Sequence, residues 1–175
     1  ATILISMATN YFGHQVPDQL SALIAKAEGK SFDELKDDHI AAYYPKFNRV
    51  DLNLGESAAS KLPINKRLTE FNKTKQDQDL MALYFQFGRY LLISSTREGL
   101  LPPNLQGLWC NTVRTPWNGD YHLNINLQMN LWPAEVTNLS ELHRPLIEWT
   151  KKQVSSGEQT AKVFYNSRGW VRSEE

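Results

Sequence analysis

The residues Leu101–Glu135, LPPNLQGLWCNTVRTPWNGDYHLNINLQMNLWPAE, decide how this chain is to be read. Trp109, Trp117 and Trp132 are interleaved there with Asn104, Asn111, Asn118, Asn124, Asn126 and Asn130. Neither a helical period nor a strand alternation organises them, and Pro102, Pro103, Pro116 and Pro133 break regular structure repeatedly. Long irregular segments are uncommon in compact domains and often carry function. Indole faces stack on the C–H side of a pyranose, and carboxamides both donate to and accept from hydroxyls, so the inventory suits a sugar site. The same residues also make ordinary turns and packing, because Asn bonds its own backbone and tolerates left-handed φ. On composition alone the two readings stand level.

Outward from this stretch, the whole chain sets bounds. It has 175 residues, enough for a domain with a core of its own. Nineteen Lys and Arg balance 19 Asp and Glu, which leaves no basic footprint for nucleic acid. No apolar run approaches the roughly 20 residues of a membrane span. One cysteine, Cys110, excludes an internal disulfide framework and any multi-cysteine zinc site. Ala1–Ala8 lacks the basic start of a signal peptide, and position 1 is not Met. The chain is therefore expected to be an internal piece of something longer.

On the N-terminal side, Thr2–Met7 reads as a short buried strand, followed by turn residues Thr9, Asn10 and Gly13. Pro17 and Asp18 open a helix with Leu20, Leu23, Ile24 and Ala27 on one face and Gly29 as its stop. Ser31 and Glu34 form a capping box for a second helix to about Tyr43. Phe47–Gly55 alternates apolar Val50, Leu52 and Leu54 with polar neighbours, which predicts a half-buried strand. Glu56–Lys75 is polar and contains Pro63; it reads as a connecting loop with a short helical turn near Leu68, its Lys and Arg on a solvated face. Asp77 caps the strongest helix, Gln78 to about Ser94. That helix is apolar on several sides, which predicts burial between other elements, with Gly88 admitting a close neighbour and Arg89 in a structural role. On the C-terminal side, Ser140 caps a helix that Gly157 ends, and Glu158–Tyr165 forms a further short one. The sum is mainly α.

At this point a resemblance enters. GRYLLISSTREGLLPPNLQGLWCN and PWNGDYHLNINLQMNLWPAEVTNLSELHRPL resemble glycoside hydrolase family 95, the inverting α-L-fucosidases, through Asp77–Leu146 in order and spacing. HIAAYYPKFNRVDLNLG and the later GWV are similar to the family as well, whereas the final RSEE departs from it. The resemblance implies a partial (α/α)6 barrel preceded by the last strand of a β-rich domain and a linker. Residues 1–12 would be the tail of the β-domain, 13–75 the linker and 76–175 the first part of a truncated catalytic domain.

The implied activity is release of terminal α-L-fucose, α-1,2-linked to galactose, from a fucosylated oligosaccharide or glycan. Inversion requires an acid at the leaving oxygen and an activated water on the opposite face of the ring. In this family asparagines, working with an aspartate, hold that water; by motif position they are Asn124 and Asn126. An amide is a negligible base, but its oxygen can accept a hydrogen bond from water and orient a lone pair. If HLNIN is extended, Asn124 and Asn126 share a face while Ile125 packs behind. His122 resembles a sugar-contacting position, although a lone histidine is more often structural. Trp117 and Trp132 are candidates for the pocket wall or for the core. Asp120 and Glu135 are the local carboxylates, neither assigned as the acid. The resemblance puts the family's general-acid glutamate and partner aspartate beyond Glu175, so the chain alone is expected to be inactive. It implies no metal or organic cofactor, and a periplasmic, cell-surface or secreted location. A sugar-binding module without catalysis, or an inactive truncated product, remain alternatives at this stage.

Overall fold

A computed structural model describes residues 2–13 and 15–172. It is helical, and no strand occurs among the described residues, as a partial (α/α)6 barrel requires. Two compact units divide between Pro45 and Lys46.

In the first unit, α1 (Val16–Ala27) begins with Pro17 in its first turn and is followed by Gly29 at φ 86°. The capping box then starts α2 (Phe32–Phe47): Ser31 N donates to Glu34 Oε2 at 2.7 Å and Glu34 N to Ser31 Oγ at 3.3 Å. Both backbone donors are satisfied, which holds the Glu34 carboxyl below its ordinary value. Thr2–Met7, expected as a strand, carries no regular structure. A strand exists only through ladder bonds to a neighbour, and no partner strand lies among the described residues. No described residue of this unit is buried.

The second unit holds the core. The predicted strand Phe47–Gly55 is absent: Phe47 ends α2 and residues 50–57 are irregular. The backbone acceptor that a sheet would use is taken by side chains. Gln86 Nε2 donates to Val50 O at 2.8 Å, and Arg89 Nη1 reaches Phe47 O at 2.7 Å and Val50 O at 3.3 Å. Arg89 Nη2 donates to Lys46 O at 2.9 Å. Arg89 is only 1% exposed, and it serves the carbonyls that the end of α2 leaves unbonded. This explains why α2 continues past Tyr43.

The expected loop Glu56–Lys75 is instead a 3-10 turn (Ala58–Lys61) followed by α3 (Ile64–Thr74). Its Arg67 does not sit on a solvated face. It is 5% exposed and forks onto Asp77, with Nε–Oδ2 at 3.0 Å and Nη2–Oδ1 at 2.9 Å. Asp77 also accepts from Ser57 Oγ at 2.6 Å and, as N-cap of α4 (Gln78–Ser95), from Leu80 N at 3.0 Å. The Arg67 hydrogen bonds prevail over burial and hold the Asp77 carboxyl far below the usual carboxylate range.

α4 buries Leu80, Ala82, Leu92 and Ile93, but Leu83, Tyr84 and Phe87 are exposed, so it is covered on one side only. Gly88 admits no close neighbour; open space lies where its Cβ would be. Beyond the loop, α5 (Asn126–Leu131) and α6 (Pro133–Val136) bury Leu127, Leu131 and Ala134. Leu139 and Leu142 complete this layer beside a 3-10 turn (Ser140–His143). Each such leucine contributes about 2 kcal/mol relative to exposure.

The helix predicted to end at Gly157 does not end there. α7 runs through it as one helix, Arg144–Tyr165. The chain turns back after Asn166, which adopts left-handed φ 47°, and Val171 N donates to Gly157 O at 3.1 Å. A Cβ at Gly157 would stand 2.5 Å from Val171 O and 2.9 Å from the Trp170 ring. Glycine is there for close packing. Ser173–Glu175, the end of the RSEE segment, lie outside the described residues.

Candidate active site

The long loop is fastened at its base. Pro102 and Pro103 are buried, and Tyr121 Oη donates to Pro102 O at 2.7 Å. The Tyr121 ring lies against Trp149 of α7, centroids 4.9 Å apart. Asn104 is held through both its side chain and its carbonyl. Its side-chain oxygen accepts from Gln106 N at 2.9 Å, and its carbonyl accepts from Asn130 Nδ2 at 2.9 Å. Leu105 N donates to Asp120 O at 3.3 Å, joining the two ends of the excursion.

At the tip, three successive residues are left-handed: Trp117 at φ 54°, Asn118 at φ 53° and Gly119 at φ 65°. This costs Asn and Gly little, whereas a bulky Trp there is strained. The strained residue presents its indole outward, 74% exposed, with the ring edge-on to His122 at 6.1 Å between centroids.

HLNIN is not extended. Leu123–Ile125 turn, and Asn126 opens α5. His122 O accepts from Leu127 N at 3.0 Å and Ile125 O from Met129 N at 2.9 Å, so the carbonyls that a strand would offer sideways bond along a helix start. Ile125 is 45% exposed and does not pack behind the asparagines; Leu127 and Leu131 anchor the segment instead. Asn124 and Asn126 are both exposed, Asn124 in the turn and Asn126 in the first turn of the helix. Trp132, between α5 and α6, is 60% exposed, which excludes a core role among the described residues. The structure thus joins Trp117 to His122, places Asn124 and Asn126 on the segment that follows, and leaves Trp132 at the far end of α5.

Of the local carboxylates, Glu135 suits structure better than proton donation. Glu135 Oε2 accepts from Ser140 Oγ at 2.5 Å, and Oε1 lies 2.9 Å from His143 Nδ1. The Ser140 and then the His143 hydrogen bonds hold its carboxyl below the ordinary value, so it stays ionised. Asp120 is exposed.

Four residues not assigned a role from sequence line a cavity of about 260 Å³: Asn104, Gln106, Trp109 and Asn130, over apolar Leu91 and Pro103. Asn130 was findable, since it follows Asn126 by four residues and a helical reading of this stretch puts both on one face.

With this geometry in view, comparison with known proteins is specific. The glycosyl hydrolase family 95 catalytic domain matches residues 31–175, which includes the RSEE expected to diverge. Alpha-L-fucosidase 2 of Arabidopsis thaliana is 40% identical over 153 residues, covering 85% of this chain and 18% of the relative. Probable alpha-fucosidase A of Aspergillus oryzae is 37% identical over 174 residues, 96% of this chain and 24% of the relative. Probable alpha-fucosidase A of Aspergillus niger is 42% identical over 154 residues, 85% of this chain and 19% of the relative. A helical chain whose amide-rich loop leads into a short anchored helix is thus the type of unit that a glycoside hydrolase catalytic domain contains. This chain belongs to glycosyl hydrolase family 95. It spans about a fifth to a quarter of the length of the curated relatives it matches. No described helix is long and apolar enough to cross a membrane.

Proposed function

We propose that the complete gene product carrying this chain hydrolyses terminal α-L-fucosyl linkages, α-1,2 to galactose, with inversion at the anomeric carbon. The observation that carries the reading is the family match over residues 31–175, together with relatives named as α-fucosidases. The local chemistry supports it: neutral amides on an anchored turn beside exposed aromatic rings suit an uncharged sugar.

In this reading Asn124 and Asn126 orient the attacking water through their amide oxygens. Leu127 and Leu131, 2% and 3% exposed, hold the segment against the core, so the positions of the amides are set before substrate arrives. His122 and Trp117 border the fucosyl ring, and Trp132 flanks it. The water gives up its proton to an aspartate, and a glutamic acid protonates the leaving oxygen; both belong to sequence downstream of Glu175. Glu135, held ionised, is not that acid. The 175-residue chain alone is accordingly inactive, and the complete protein works in the periplasm, at a cell surface or in secretions.

The test is the anomer formed first. Incubated with a fucosyl-α-1,2-galactoside and followed by proton NMR, the complete protein should release β-L-fucose, which then mutarotates. Initial α-L-fucose would exclude inversion, and no fucose at all would exclude the activity.

A further inference from the structure

α5 starts irregularly, and the irregularity falls on the asparagine pair. A regular helix would carry Leu127 N back to Leu123 O, four residues earlier. Leu127 N donates instead to His122 O, five residues earlier, at 3.0 Å. Ile125, at φ −148° and ψ −34°, is where the backbone departs from helix. Leu127 N thereby passes over the Leu123 carbonyl, and a side chain reaches it: Gln128 Nε2 donates to Leu123 O at 2.7 Å. The two bonds close over the same residues, so Asn124 and Asn126 lie inside both.

Asn124 and Asn126 are exposed, so the core does not pack around their amides and the backbone of the turn sets where they start. Gln128 is half-buried beside Leu127, which is 2% exposed, and this gives its carboxamide a firm base. Its orientation is fixed as well. With Oε1 and Nε2 exchanged, two acceptors would face each other at 2.7 Å. In the orientation it has, Oε1 is buried and takes no hydrogen bond among the described residues. A buried acceptor without a donor opposes folding. For stability alone, methionine would fill the same space without that acceptor. What glutamine adds is one donor on the carbonyl that precedes Asn124.

We propose that Gln128 is a positioning residue for the hydrolytic step: by holding Leu123 O it fixes the turn that carries Asn124 and Asn126, and through them the place of the attacking water. The proposal rests on the fucosidase reading above and adds to it a side chain that acts through the backbone.

The experiment measures kcat and KM of the complete gene product on a fucosyl-α-1,2-galactoside, with a urea midpoint for each variant. Gln128→Met keeps the bulk and removes the donor. Its kcat should fall roughly tenfold, the scale of one lost hydrogen bond, while KM and the urea midpoint stay close to wild type. Gln128→Glu keeps the shape and sets an ionised oxygen against the carbonyl. Its kcat relative to wild type should be low at neutral pH and recover as the pH falls, because the carboxyl then gains a proton to donate. It carries the test if Gln128→Met fails to fold. An unchanged kcat in Gln128→Met, with wild type active, overturns the proposal and leaves the fucosidase reading standing. So does a lowered urea midpoint with kcat per folded molecule unchanged, which makes Gln128 part of the frame alone. Wild type that releases no fucose overturns that reading and the proposal with it.

Discussion

The start of α4 and the loop that follows its end handle polar groups in opposite ways. At the start, Arg67, Asp77 and Ser57 are drawn out of water and joined at 2.6–3.0 Å, with Asp79 adding a 2.7 Å bond to Arg67. In the loop region neutral amides outnumber charged side chains, several of them are exposed, and the backbone is strained at Trp117. The difference teaches where each kind of chemistry belongs. Closed, charge-assisted bonds position a frame, while open, uncharged amides are what a sugar hydroxyl can still engage.

Four substitutions break or sharpen this contrast, and the largest effect is expected in the frame. Arg67→Met leaves Asp77 buried without its cation and should cost about 3 kcal/mol in urea unfolding. The same pair sets an acid limit. Asp77 has a folded pKa depressed below its unfolded value near 4, so its contribution is complete above about pH 4 and is lost as pH falls below that. The acid limb of the stability profile should therefore flatten in Arg67→Met. If stability and slope are both unchanged, the frame does not depend on this pair.

In the loop region the expected loss is catalytic. Asn126→Ala in the complete gene product should lower kcat by roughly a hundredfold, the scale of one positioned polar partner. Because Asn126 is exposed, the urea midpoint should move little. A large stability loss would make Asn126 part of the frame instead.

Gly157→Ala separates local propensity from packing by sign. Helix propensity alone predicts a gain of about 1 kcal/mol. The 2.5 Å approach to Val171 O predicts a net loss of about 2 kcal/mol, with altered Trp170 fluorescence. The smallest effect is at the loop tip. Trp117→Gly should raise stability by up to about 1 kcal/mol by relieving left-handed strain, while fucose release falls. A loss of stability there would mean that the indole packs more than it recognises.

Much of the helical frame is legible in short windows of sequence. α1 shows its proline and its stopping glycine, α2 its capping box, and α4 its Asp77 cap and apolar period. Motif singled out Asn124, Asn126 and His122, and the structure sets His122 against Trp117, but it turns the HLNIN segment into a helix start. Other features were not legible. α3 looked like a loop because its Arg67 is stabilised by Asp77, which lies outside the helix. Phe47–Gly55 has a real alternation, but Val50 O is claimed by Gln86 and Arg89. The cavity depends on Asn104 and Asn130, 26 positions apart, meeting through one hydrogen bond.

The sequence by itself determined the helical class, most helix starts and the amide-rich character of the loop, because caps, prolines and 3.6-residue periods act within a few residues. The tertiary structure alone decided that HLNIN turns into a helix, that Gly157 lies inside one, and that Arg67 and Arg89 are buried. Each of those outcomes depends on which distant group takes a backbone carbonyl, a carboxylate or the space of a missing Cβ, and only the folded chain brings those groups together.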